Sequence, residues 1–107
     1  MAKYQTRYTI EAIARDSRGR IISRGFNNYN KSHPLQSHFA ELAGTPKKQF
    51  LHAEILTILR ARERKIYSIE VINHTTPAIP YPCSICQLAI EKFGIKKVTA
   101  RSMFKTD

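Results

Sequence analysis

At 107 residues, 42% of them hydrophobic, the chain is long enough for one compact domain with a core and too short for two, so a single domain over 1–107 is expected. No run approaches the roughly 18–20 apolar residues of a membrane span. The opening MAKYQTRYTIEAIARD carries charges where a signal peptide has its apolar stretch, so a soluble, cytoplasmic protein with no membrane partner is expected. The net charge of +10 points to an anionic partner, although the basic residues are scattered from Arg15 to Lys105, as a solvated basic surface would also have them.

In chain order, Tyr8 to Ala14 alternates, with Tyr8, Ile10, Ala12 and Ala14 on one side, and Arg20 to Phe26 offers a second strand. The turn residues Asp16-Ser17-Arg18-Gly19 between them predict an antiparallel hairpin. After the Asn-rich stretch 27–30, Pro34 suits a first helical position, Leu35, Phe39 and Leu42 recur at helical spacing, and Gly44 is a stop. Thr45 to Lys48 reads as a loop. A second helix opens near His52, with Ile55, Ile58 and Leu59 apolar, and dissolves into the charged run Arg60 to Lys65. Ile66 to Asn73 is rich in β-branched residues and reads as a buried strand, stopped by the prolines at 77, 80 and 82. A third helix begins near Cys83, with Ile85, Leu88, Ala89 and Phe93 inward and Gly94 ending it, and Lys96 to Arg101 is a last strand. This order argues an α/β fold, a mixed sheet covered by helices.

The only two cysteines are Cys83 and Cys86, in Pro82-Cys83-Ser84-Ile85-Cys86. One pair so close makes a poor disulfide scaffold, whereas a Cys-x-x-Cys at a helix start sets both sulfurs near unsatisfied amides that favour thiolates and metal binding. Two thiolates make half a zinc site. Of the four histidines, 33, 38, 52 and 74, His52 stands out: Ala53 and Glu54 follow it at the opening of a helix, and Cys83 comes 31 residues later, room for one helix and one strand.

H-x-E followed by P-C-x-x-C is the signature of zinc deaminases. On His52-Ala53-Glu54 and Pro82 to Cys86 the chain resembles the cytidine deaminase-like superfamily, and Leu88 to Val98 is similar to the helix-Gly-Ile-strand that follows the cysteines in deoxycytidylate and tRNA adenosine deaminases. The resemblance implies a three-layer α/β/α arrangement and a Zn2+ cofactor held by His52, Cys83 and Cys86. The fourth position, left to water, would lower that water's pKa from about 16 toward 7. It implies further that Glu54, beside the water and not a ligand, moves the protons. In Gly25-Phe26-Asn27 the asparagine takes the place of a substrate contact, with Asn28 in its stead if the register slips by one. Ala53 and the region before Pro82 would line the base pocket, and Tyr81 or Phe26 would stack on the base. The helix over 34–43 has no place in the resemblance.

The substrate implied is a small nucleotide. A cytosine mononucleotide of the deoxycytidylate type is favoured, because positive charge gains nothing from a plain nucleoside. A cytosine or adenine in single-stranded DNA or RNA is the alternative, since +10 exceeds what one phosphate demands. Lys47 and Lys48, close before His52, either reach a phosphate or sit in a solvated loop. Two non-catalytic readings compete: a closed structural zinc site, with His74 or His38 as fourth ligand, and a zinc-stabilised nucleic-acid-binding module. With only Ser102 to Asp107 after the last strand, a neighbouring subunit is expected to complete the pocket, making the protein a homo-oligomer.

Overall fold

The computed structural model describes residues 8–29, 31, 33–44 and 51–104. The element order is β1 (Ile10–Arg15), β2 (Ile21–Phe26), α1 (Pro34–Leu42), α2 (Ala53–Ala61), β3 (Ser68–Asn73), α3 (Ser84–Lys92) and β4 (Lys97–Ser102), the order read from the sequence. The strands lie as β2-β1-β3-β4. The hairpin pair and β1–β3 are antiparallel and β3–β4 is parallel, so the sheet is mixed. The expected loop at Thr45 to Lys48, with Lys47 and Lys48, lies outside the described residues, as do Asn30 and Lys105.

The hairpin closes on Asp16, whose Oδ1 accepts from the backbone N–H groups of Arg18 and Arg20, the Asx-turn chemistry expected of that residue. Gly94, at φ +68, takes the left-handed position that ends α3 and turns the chain into β4. Between β1 and β2 the pairing shifts register at Ala14 and Arg15.

Strand alternation divides the sheet into two unlike faces. Ala12, Ala14, Ile69 and Val71 join one core cluster with Phe39, Ile55, Ile58, Ile85 and Ala89, which places all three helices on the same side. The opposite side holds Glu11, Ile13, Glu70 and Ile72 in a checkerboard, each glutamate directly across from an isoleucine. Arg24 and His74 meet Glu11 there, and Arg15 and Arg101 meet Glu70. The expected mixed α/β sheet covered by helices is what forms; among the described residues the helices lie on one face and ion pairs lie over the other. That face is nonetheless closed, with Glu11 and Ile13 buried as well as Ala12 and Ala14.

Two helical faces are rotated from expectation. Helix α1 buries Gln36, Phe39 and Ala40 and leaves Leu42 exposed. Helix α3 buries Ile85, Cys86, Ala89 and Ile90, with Phe93 exposed at its C-cap. In both, the buried stripe includes a residue chosen for the site (Cys86) or bonded to it (Gln36), and an apolar residue moves to the rim in exchange.

Candidate metal centre and active site

Two helices begin at one place. His52 is the N-cap residue of α2 and Cys83 the N-cap residue of α3, and neither side chain caps its helix. Serine or aspartate at an N-cap would contribute about 0.5–2 kcal/mol. Both positions forgo it, and the side chains turn toward each other instead. His52 Nδ1 stands 3.3 Å from Cys86 Sγ and 3.5 Å from Cys83 Sγ. The three donor atoms lie within 4.8 Å of one another.

These separations fit zinc. With Zn–S near 2.3 Å and Zn–N near 2.1 Å, tetrahedral ligands sit roughly 3.6 Å apart. The thiols also behave as a ligand pair. Cys83 is drawn down to about 3, first by the hydrogen bond from Cys86 and then by His52, and against its partial burial. Cys86 is pushed up by the same hydrogen bond and by its own burial. One proton shared between two sulfurs is what a cation displaces on binding.

Among the described residues no fourth histidine, cysteine or carboxylate joins the cluster. His74 is engaged with Glu11, at 2.9 Å, and His38 lies edge-on against Phe39. The closed four-ligand site therefore does not form from those two histidines. Beside the three donors stands Glu54, only 6% exposed, in the first turn of α2 and within hydrogen-bonding reach of Cys86. Burial raises its pKa, opposed by its own backbone N–H and by His52.

A cavity of about 240 Å³ opens over this cluster, lined by His52, Ala53, Glu54, Cys83, Asn27 and Tyr81. It brings together most of the residues singled out from the sequence. Cys86 lies buried beneath it. Asn27 uses its amide to staple the start of β1, accepting from Ile10 N–H and donating to the Tyr8 carbonyl, and presents its remaining surface to the cavity. Phe26 and Asn28 are not brought to it. Gly25 faces Leu56 of α2, so strand alternation turns Phe26 to the opposite face of the sheet, where its ring lies tilted over His74. Asn28 pairs through its backbone with Leu51, guiding the chain into α2.

The cavity also takes Pro80, from the region before Pro82, and Tyr8, Ile10 and Tyr29, which were not singled out as site residues. Tyr8 N–H donates to the Tyr29 hydroxyl, tying two of the lining residues together. Asn73 is another omission. It is buried at the end of β3, accepts from the N–H groups of Thr75 and Thr76 and donates to the Ala78 carbonyl, shaping the loop that carries Pro80 and Tyr81. An asparagine that ends a strand before two threonines is a readable turn signal. The tyrosines had none, because their meeting depends on which strand ends share an edge.

A mixed sheet with two helix N-termini converging on His, Cys and Cys, and a buried glutamate beside them, defines a zinc-binding deaminase domain. The family model of the cytidine and deoxycytidylate deaminase zinc-binding region matches residues 2–102, and the chain belongs to that family. No curated protein matches the chain. No described helix is long and apolar enough to cross a membrane.

Proposed function

We propose that the protein hydrolyses the exocyclic amine of a cytosine-type base carried on a mononucleotide, water entering and ammonia leaving. The observation that carries this reading is Glu54, a buried carboxylate beside three metal donors that among the described residues have no fourth protein ligand. A structural zinc site closes its coordination, whereas a catalytic one keeps a position open. Zinc held by His52, Cys83 and Cys86 supplies the Lewis acidity that makes water a nucleophile at neutral pH.

Glu54 takes one proton from the attacking water and delivers it to the ring nitrogen as the new C–O bond forms, then takes the remaining hydroxyl proton and passes it to the amine, which leaves as ammonia as the C–N bond breaks and the carbonyl forms. Its burial favours the protonated state between these transfers. Asn27 and the backbone at Ala53 hold the base, and Tyr81, 77% exposed at the rim, stacks on it once bound. A reducing compartment such as the cytoplasm keeps both thiols available. A homo-oligomer is supported by β4, an edge strand carrying exposed Val98 and followed by exposed Met103 and Phe104.

The test is ammonia release from the zinc-loaded protein against cytosine and adenine nucleosides, their phosphates and single-stranded oligonucleotides. Glu54→Gln should lower turnover by about 10²–10⁴-fold with zinc still bound. Unchanged turnover in that variant would overturn the role of Glu54.

One observation favours a second reading, a base within single-stranded nucleic acid. No lysine or arginine lines the cavity among the described residues. The cations gather instead at the other end of the sheet, where Arg18, Arg20, Lys65 and Lys96 surround a hollow of about 420 Å³ whose acid, Asp16, is already paired with Arg20. Charge set a strand's length from the site, roughly 20 Å, serves a polymer's backbone better than a single phosphate. Under this reading, replacing Arg18, Lys65 and Lys96 with alanine flattens the slope of log affinity against log salt by about 2 for an oligonucleotide. An unaltered slope removes it.

A further inference from the structure

Helix α1, which the sequence motifs alone left unplaced and the family match includes, carries one of only two polar side chains with no exposed surface among the described residues, Gln36. The other, Thr57, is bonded to Ser23 on the sheet side of α2. Gln36 reaches a different partner: its Oε1 accepts from the backbone N–H of His52 at 3.1 Å.

That N–H belongs to the N-cap residue of α2. The His52 side chain is turned to the cysteines and does nothing to hold the helix start, so main-chain position there depends on other groups. Leu51, one residue before, is fixed by its N–H to the carbonyls of Asn28 and Lys31. Gln36 adds the hold on His52 itself. Helix α1 meanwhile packs on α3, the helix that bears Cys86 in its first turn and is headed by Cys83. One helix thus touches both ligand-bearing elements, α3 by packing and the start of α2 by a hydrogen bond.

The choice of residue argues that this is more than core filling. Gln36 Nε2 is buried with no hydrogen-bond partner among the described residues, a desolvation cost that methionine or leucine in the same stripe would not incur. Placing His52 is what the glutamine offers and an apolar side chain does not.

We infer that Gln36 is a positioning residue for the metal centre: it fixes the His52 main chain so that Nδ1 stays in register with Cys83 and Cys86, and α1 is the strut that transmits this from the cysteine helix. The inference rests on the zinc-deaminase reading for the use made of the metal, but not for the placement of the ligand.

Metal affinity measured without substrate tests it, by cobalt titration followed through the thiolate charge-transfer band and by zinc competition with a chelator. Gln36→Met, which keeps the volume and removes the acceptor, should weaken metal binding about 10–100-fold, the range seen when the partner of a metal ligand is removed. Gln36→Glu, which restores an acceptor oxygen, should recover most of that loss. Thr57→Val removes the other fully buried polar group and should leave affinity unchanged, which separates positioning from general loosening. If Gln36→Met does not fold, Gln36→Asn carries the same expectation, its acceptor drawn back by one methylene.

Equal affinities in wild type and the Gln36 variants, or an equal loss in Thr57→Val, would overturn the inference. A wild type that binds no metal would overturn it together with the deaminase reading. Stoichiometric metal with no ammonia from any substrate would count against that reading alone.

Discussion

The two faces of the sheet are cut from the same strands and closed to water by different means. Toward the helices, Ala12, Ala14, Ile69 and Val71 meet apolar side chains of α1, α2 and α3 in one continuous cluster. Away from them, each buried isoleucine stands across from a glutamate whose carboxylate is held by arginine or histidine. The first face depends on shape and the second on charge. Close packing is intolerant of small displacements, and it is on that face that α2 and α3 are brought to within a metal's reach of each other. The ionic face carries no part of the metal centre, so it tolerates exchange of its members.

The largest effect that tests this difference is expected from Ile69→Ala. Ile69 is fully buried in the helical-face cluster, and removing its branches should cost about 2–5 kcal/mol in urea denaturation. Less than about 1 kcal/mol would mean that the face repacks freely and that the comparison fails. A smaller loss, about 1–3 kcal/mol, is expected from Gly25→Ala. A Cβ there would stand 3.0 Å from Leu56 Cγ, so α2 or the Leu56 side chain must yield. Because His52 heads the same helix, this variant should also weaken zinc binding. Lost stability with unchanged metal affinity would show that Leu56 alone gives way.

How much of this was legible in the sequence follows the same division. The metal centre was, because its chemistry demands particular residue types at particular spacings, and His52, Glu54, Cys83 and Cys86 carry that demand on their own. The hairpin, the helix starts and the Gly94 stop were legible from local turn and cap chemistry. The ionic face was not: nothing local marks Glu11 or Glu70 as ion-paired, and only the long-range pairing of the strands sets each across from an isoleucine and beside an arginine. Gln36 escaped for a related reason, since a glutamine between two leucine-type positions looks like the wet side of a helix. Phe26 was misplaced by parity alone, as Ile21 and Ile22 are both apolar and do not reveal which way β2 faces.

The smallest effect, and the one that isolates the ionic face, is expected from Glu70→Gln. Glu70 bridges Arg15 and Arg101, and their hydrogen bonds, that from Arg101 foremost, hold its carboxyl below the usual glutamate range. A group whose pKa is lower folded than unfolded stabilises the fold above its unfolded value and loses that contribution as pH falls through the folded one. Wild type and variant should therefore differ at neutral pH and converge on acidification below the ordinary glutamate range. Arg101 is half exposed, so screening limits the difference to under about 1 kcal/mol and added salt should shrink it further. Zinc affinity and turnover should be untouched. A Glu70→Gln variant that loses metal would show that the two faces are coupled through β3, and that charge on one side helps set the geometry on the other.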